Sequence, residues 1–272
     1  NATQVNAVIH ATHRLACCWG KTISHRQDLL LGLMLAALLG TLLFGGAKRI
    51  AEAAQMLVPL AAAGYILLCL GVLVICRNKI GPAFAQIISG AFDPKAVTGG
   101  MLGSAFQALR IGCSRGVFTN EAGMGTASIA HGEAEVDHPV EQGLMGIIEV
   151  FLDTILICTM TALTILTSGI VIPYGTDPGA HLTGEAVASV LGDFGSFLMF
   201  GTLCCFAFAT ILGWGLYGVR CAEFLFGSKA RMIFPGCQAA VVLWAVFSET
   251  ATIWIICDIL NLPGSLQHGI TA

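Results

Sequence analysis

Thr119, Asn120 and Glu121 stand together in a largely apolar chain, and Gly123 and Gly125 follow at once. A carboxylate and an amide at membrane depth are costly unless something pairs with them. Two close glycines weaken a helix by about 1 kcal/mol each. Together these residue types predict a membrane helix that unwinds between about Thr119 and Gly125 and restarts near Thr126. Non-helical backbone at that depth is tolerated only inside protein or along a water-filled cavity. The N–H groups of a restarted half-helix would suit a carboxylate, and the freed carbonyls would suit Na⁺. The stretch therefore reads as half of a site for a small polar solute and its coupling ion. The alternative is a glycine-rich packing kink with Glu121 paired to Arg115 or a neighbour.

Two further constellations could carry chemistry. Glu149 and Asp153 are four residues apart on one helical face, and Thr154, Cys158 and Thr161 form a second polar row. Two intramembrane acids suggest a path for a proton or cation; the alternative is that the row braces neighbouring helices through hydrogen bonds. Thr210 and Trp214 also share a face, and a hydroxyl with an indole wall could hold a small amino acid. Spacing alone favours a plainer reading, a core aromatic beside an intrahelical Thr bond.

Enzyme signals fail. His131-x-Glu133 is not the two-His helical zinc motif, and no Ser lies in a Gly-x-Ser-x-Gly turn. The 11 cysteines are odd in number and contain no Cys-x-x-Cys. They read as small apolar residues rather than a disulfide framework or metal cluster. No cofactor is implied, and no metal beyond sodium.

The elements that must position these residues are membrane helices. Hydrophobic residues make up 56% of the chain and charged residues 11%, against about 25% charged in an ordinary soluble domain. The fold class is an all-α membrane protein. A net charge of −3 without a basic arm gives no sign of nucleic acid. Residues 1–28 read as the tail of a helix and an aqueous loop. Spans are expected at Leu29 to Gly46 and Ala53 to Cys76, the second with Gly64 and Gly71 on one close-packed face. A connector with a surface helix fills residues 80–100. Met101 to Gly132 is the broken span: as one helix it would be about 48 Å long, against a hydrocarbon core of about 30 Å. Further spans follow at Gly143 to Gly169, Phe194 to Gly218 and Met232 to Phe247, and one begins in Thr250 to Leu260. The basic turns at Lys48-Arg49 and Arg220 to Arg231 should share a side, with an acidic loop at Asp177 to Asp193 facing the other way. This favours a cytoplasmic side for the basic turns, although Arg77, Lys79 and Lys95 vote against it.

The run Arg115-Gly-Val-Phe-Thr-Asn-Glu-Ala-Gly-Met-Gly-Thr-Ala-Ser-Ile-Ala-His131 closely resembles the bacterial sodium:alanine (alanine or glycine:cation) symporter family. So do Asp137-His-Pro139, Gln142-Gly143, Asp153-Thr154, Cys158-Thr-Met-Thr-Ala-Leu163, Phe208-Ala-Thr-Ile-Leu-Gly-Trp214 and Phe44-Gly-Gly-Ala-Lys-Arg-Ile50. The resemblance implies a LeuT-type inverted-repeat bundle, here a partial transporter domain over residues 1–272. It would run from the end of the third core helix into the tenth, with the broken span as the sixth. Phe118, Thr119, Asn120, Gly123, Met124 and Thr126 would line the substrate site, with Thr210 and Trp214 from the eighth helix and Gln4 from the third. Ala209 stands where the family usually has Ser, which weakens any sodium contact there. Both ends look cut, and the first core helix, with half of the ligands, would belong to missing N-terminal helices of the same protein.

The expected function is sodium-coupled symport of a small neutral amino acid, alanine or glycine, across the bacterial inner membrane by a multi-pass protein in the lipid bilayer. Asn120 would serve the substrate carboxylate, Trp214 and Met124 its side chain, and Glu121, Glu149, Asp153 and Thr154 an ion or proton path. The competing expectation is a non-transporting truncated fragment or an amino-acid-binding membrane module.

Overall fold

A computed structural model describes residues 1–18, 20, 22–92, 100–121, 125–172, 181–248, 252, 253 and 256. The described residues form helices α1 (Ala2–Cys18), α2 (His25–Phe44), α3 (Gly46–Ile75), α4 (Ile80–Ala91), α5 (Gly100–Thr119), α6 (Thr126–Gly132), α7 (Pro139–Val150), α8 (Cys158–Ser168), α9 (His181–Phe226) and α10 (Ala230–Val246). A 3₁₀ turn, Arg77–Lys79, follows α3, and a π-helical segment, Phe151–Ile157, joins α7 to α8. Four stretches are long and apolar enough to cross a membrane: His25–Phe44, Lys48–Ile75, Pro139–Ser168 and Leu182–Phe226. Ala230–Val246 is a shorter apolar helix. α5 is not among them, because Gln107, Arg110 and Arg115 interrupt its apolar run. The expected span from Thr250 lies almost wholly outside the described residues, as do Lys95 and the turn at Pro173 to Gly179.

The chain divides into two compact units. Unit 1 comprises residues 1–64, 179–181 and 197–272; unit 2 comprises residues 65–178 and 182–196.

Unit 1 is built on α1, α2, α10 and most of α9. Leu35, Leu39 and Leu43 recur every fourth residue on α2 and meet Val5 and Ile9 of α1, Ile211 and Leu212 of α9, and Val242 and Ala245 of α10 in one core. Polar bonds tie the ends. Asn6 is buried and its Nδ2 donates to the Ser248 carbonyl at 2.7 Å, linking α1 to the end of α10. α2 starts at His25, four residues before the expected Leu29. The Ser24 N–H donates to Gln27 Oε1 at 2.9 Å, and Asp28 in the first turn suits the positive end of the helix. Asp28 is buried and pairs with His13 of α1 at 2.5 Å. The polar residues before Leu29 thus cap a helix and dock it, instead of all lying in an aqueous loop.

One buried group of unit 1 is poorly matched. Gln238 on α10 is 4% exposed, and neither polar atom of its amide has a hydrogen-bond partner among the described residues. It packs where α9 comes close at Gly215: a Cβ there would lie 3.0 Å from Gln238 Nε2. An unsatisfied buried amide costs about 1–3 kcal/mol. Gln238→Leu is expected to raise unfolding stability in detergent by about 1 kcal/mol or more, read from the midpoint of denaturant unfolding. A lowered midpoint would show that this amide has a partner on which the fold depends.

In unit 2, α3 carries Tyr65, Cys69 and Val72 on its buried face, while Leu67, Leu70 and Val74 are exposed, as expected of a helix with one face to lipid. The Tyr65 hydroxyl shares a 2.5 Å hydrogen bond with Thr161, and Thr161 also donates to the Ile157 carbonyl at 2.7 Å. The expected close face on the second span is present. A Cβ at Gly71 would lie 3.7 Å from Leu191, and within unit 1 a Cβ at Gly64 would lie 3.1 Å from Thr202.

The expected acidic loop from Asp177 to Asp193 is corrected by α9, which begins at His181. Apolar residues at 182, 186, 187, 190 and 191 make this stretch a helix with Glu185 on it. Gly192 interrupts α9 with φ 71° and ψ −165°, so the fifth expected span is the second part of a longer bent element.

Candidate functional site

The expected break in the helix is present, although neither α5 nor α6 is among the stretches long and apolar enough to cross a membrane. α5 ends at Thr119, Asn120 and Glu121 turn away from the helix, and α6 does not begin until Thr126. Both sides of the gap carry left-handed backbone: Glu121 at φ 51° and Gly125 at φ 77°. For a residue with a Cβ, such as Glu121, that region costs about 1–2 kcal/mol, and strain of this kind collects at ligand sites and switch regions. Gly123 and Met124 lie outside the described residues. Phe118 and Arg115 sit on α5 and their side chains are outside the description, which leaves the expected Glu121–Arg115 pair unaddressed.

Asn120 ends α5 through its own amide. Its backbone N–H and its Nδ2 both donate to the Gly116 carbonyl, at 3.0 and 2.9 Å. These bonds satisfy one of the carbonyls a helix end leaves open. Because a carbonyl only accepts, the contact to Gly116 also settles which end of the amide is nitrogen. Asn120 Oδ1 then faces Thr154, whose hydroxyl donates to it at 2.8 Å. Two consequences follow. One N–H of Nδ2 is left over after the bond to Gly116. The Thr154 oxygen, its proton committed, keeps lone pairs that can accept a hydrogen bond or hold a cation.

Thr154 reaches Asn120 from the π-helical segment. The Cys158 N–H bonds to the Asp153 carbonyl, five residues back. Such wide turns shift the phase of everything after them and are frequent at functional sites. This segment revises the expected rows of the fourth span. Glu149 is exposed on α7 and Asp153 is half-buried in the π turn, and the two carboxylates remain close enough to act on each other. Thr154 and Thr161, expected in one row, bond to different neighbours: Asn120 after α5, and Tyr65 on α3. Cys158 is exposed.

α6 is seven residues long, about 10 Å at 1.5 Å per residue. It is held by its far end, where Gln142 Nε2 meets His131 Nδ1 at 2.8 Å and couples it to α7. At its start Ser128 donates back to the Gly125 carbonyl at 2.6 Å. The Thr126 hydroxyl oxygen is buried without a hydrogen-bond partner among the described residues. The His131–Gln142 contact was not anticipated from the sequence. The signal available was two polar side chains flanking the turn at Asp137-His138-Pro139.

Gln4, Thr210 and Trp214 belong to unit 1. Thr210 donates to the Phe206 carbonyl at 2.9 Å, the intrahelical bond of the plainer reading. Trp214 packs near Tyr217, with ring centroids 6.3 Å apart and tilted by 52°. Both are half-buried on α9, next to the core residues Ile211 and Leu212. Gln4 is half-buried on α1, beside core residue Val5. Among the described residues no cluster of His, Cys, Asp and Glu has the makings of a metal site.

The model of the sodium:alanine symporter family matches residues 1–265. An uncharacterized transporter of Haemophilus influenzae is 36% identical over 263 residues, which is 95% of this chain and 55% of that protein. The sodium/alanine symporter AgcS of Methanococcus maripaludis is 37% identical over 237 residues, 86% of this chain and 51% of that protein. The probable sodium/glutamine symporter GlnT of Bacillus subtilis is 36% identical over 234 residues, 86% of this chain and 48% of that protein. The chain spans about half the length of the curated relatives it matches.

Proposed function

The chain belongs to the sodium:alanine symporter family, and from that premise we propose that it is a secondary active transporter carrying a small neutral amino acid, alanine or glycine, into the cell together with Na⁺. The family is one of transporters, and with its long apolar helices the chain is a multi-pass protein of the cell membrane. A LeuT-type inverted-repeat architecture, with the interrupted helix as the sixth core helix, is part of the proposal.

The observation that carries it is the gap between α5 and α6, with Asn120 held at its edge by Thr154. An amide clamped on its oxygen side and by one N–H presents its other N–H in a fixed direction. Asn120 takes the substrate carboxylate with that N–H. Phe118, Thr119, Gly123, Met124 and Thr126 line the same stretch, and Met124 meets the small side chain. Thr210, Trp214 and Gln4 are substrate contacts on the resemblance; for Thr210 this means giving up, or sharing, its bond to Phe206. Carbonyls of the unwound stretch and the lone pairs of Thr154 hold the ion. Glu121 pairs with a basic residue or moves a proton, and Glu149 and Asp153 extend that path. The two-turn α6 makes a weak dipole, so the carboxylate relies on Asn120 and peptide N–H groups more than on a helix end. Binding of both ligands biases an outward-to-inward equilibrium by their differential affinity for the two states.

The test is uptake by the full-length protein, with and without an inward sodium gradient, against alanine, glycine and glutamine. Alanine or glycine uptake that rises with the gradient is expected. Uptake indifferent to sodium would remove the coupling. A preference for glutamine, the substrate for which GlnT is named, would overturn the assigned substrate. Saturable alanine binding without uptake would replace transport by binding alone.

A further inference from the structure

The turn from α2 to α3 and the turn from α9 to α10 meet at one end of unit 1. Leu43, Gly46 and Ile50 from the first line a small open cleft with Leu216, Arg220 and Arg231 from the second. A Cβ at Gly46 would lie 3.1 Å from Arg231 Nη2, so the guanidinium rests directly over the backbone of the first turn. The two basic turns expected to share a side therefore do so. They carry Lys48, Arg49, Arg220, Lys229 and Arg231 against Glu52 and Glu223. Arg220 Nη1 pairs with Glu223 at 3.3 Å. Among the described residues no carboxylate pairs with Lys48, Arg49, Lys229 or Arg231.

Exposed apolar residues stand near the cleft's lining in sequence, Phe44 next to Leu43 and Met232 next to Arg231. Phe44, Phe224, Phe226, Met232 and Ile233 are all exposed, and they lie at or near the ends of the apolar stretches His25–Phe44, Leu182–Phe226 and Ala230–Val246. Chain ends of this kind mark the boundary between hydrocarbon and headgroups. A guanidinium at such a helix end, with exposed aromatics near it in sequence, offers two chemistries: phosphate oxygens for its fork of donors and acyl chains for the phenyl rings.

We propose that this cleft is a headgroup site for an anionic phospholipid, with Arg231 and Arg220 on the phosphate and Lys48, Arg49 and Lys229 supplying the surrounding field. A zwitterionic headgroup carries the same phosphate, but its ammonium is repelled by the cations. Free phosphate has the right charge and nothing to place on Phe224 and Phe226. The proposal does not depend on which solute the protein carries, and its failure would leave the transport reading untouched.

The test is native mass spectrometry of the full-length protein released from micelles containing phosphatidylglycerol or phosphatidylcholine. Retention of phosphatidylglycerol in excess of phosphatidylcholine is expected. A basic residue near the membrane surface contributes about fivefold to anionic-lipid affinity, so Arg231→Gln should lower phosphatidylglycerol retention about fivefold. Arg231 is exposed, so the substitution leaves the packed core alone, and an unchanged unfolding temperature in lipid-free detergent checks this. Lys79→Gln, the loss of one cation in unit 2, should leave retention unchanged. Equal retention of the two lipids, an Arg231→Gln variant that retains as much as wild type, or an equal loss in Lys79→Gln would each overturn the site. Full displacement of the lipid by millimolar inorganic phosphate would overturn the lipid as its occupant.

Discussion

On the proposed transport reading, Asn120→Ala is expected to lower amino-acid uptake by the full-length protein by tenfold or more. The substitution removes three things together: the bond from Nδ2 to the Gly116 carbonyl, the acceptor for the Thr154 hydroxyl, and the remaining N–H proposed for the substrate. Thr154 is half-buried, so stripping its hydroxyl of its acceptor costs up to the lower end of the about 1–3 kcal/mol of a fully buried group, and about 1.4 kcal/mol is already a factor of ten in an equilibrium. Thr154→Val separates the parts, because it leaves the amide in place but unclamped. If the clamp is what orients Asn120, Thr154→Val loses most of the same activity, and the double variant is little worse than either single one. Asn120→Asp keeps an acceptor for Thr154 but sets a carboxylate against the substrate's own, so it should fail as well. Wild-type uptake in Asn120→Ala would remove the site from this stretch of the chain.

Gly192→Ala destabilises the protein, and Gly201→Ala on the same helix stabilises it. At neither position would a Cβ meet another atom within 4 Å, so packing does not enter and the backbone alone decides. Gly192 has φ 71° and ψ −165°, a combination essentially reserved for glycine, and forcing another residue into it costs about 1–3 kcal/mol. Gly201 lies in the regular part of α9, where alanine is better than glycine by about 0.5–1 kcal/mol. Thermal unfolding in detergent should move in opposite directions for the two variants. A Gly192→Ala protein as stable as wild type would mean that α9 can straighten at no cost, and the kink would not then be a fixed feature of the fold.

Much of the architecture was legible in the chain because it rests on local rules. Apolar runs between Lys48-Arg49, Arg77-Lys79 and Arg220 located the long helices, although α3 begins before Lys48 and α9 runs past Arg220 to Phe226, and Gly64 and Gly71 marked a close-packed face. The gap between α5 and α6 was legible for the same reason, since Gly123 and Gly125 weaken a helix and the polar run Thr119 to Glu121 before them needs partners at membrane depth. The run from Arg115 to His131 carried the family. The helix from His181 to Leu191 was not legible. Glu185, the flanking Asp177 and Asp193 and the turn residues before it resemble a loop, and its apolar residues count only once they have something to pack against.

By its residues alone, then, the chain determined that it is helical, that it lives in a membrane and that one helix opens or kinks near Asn120. Tertiary structure decided what the opened end is attached to. The Asn120–Thr154 bond joins residues 34 apart in sequence; Thr154 makes it from the π-helical segment Phe151–Ile157, while Thr161, on the regular helix beyond, bonds to Tyr65. An ordinary helical repeat puts Thr154 and Thr161 in one row. Hydrogen-bond partners between helices depend on the phase in which those helices pack, and a single wide turn resets that phase without leaving a mark in composition or spacing.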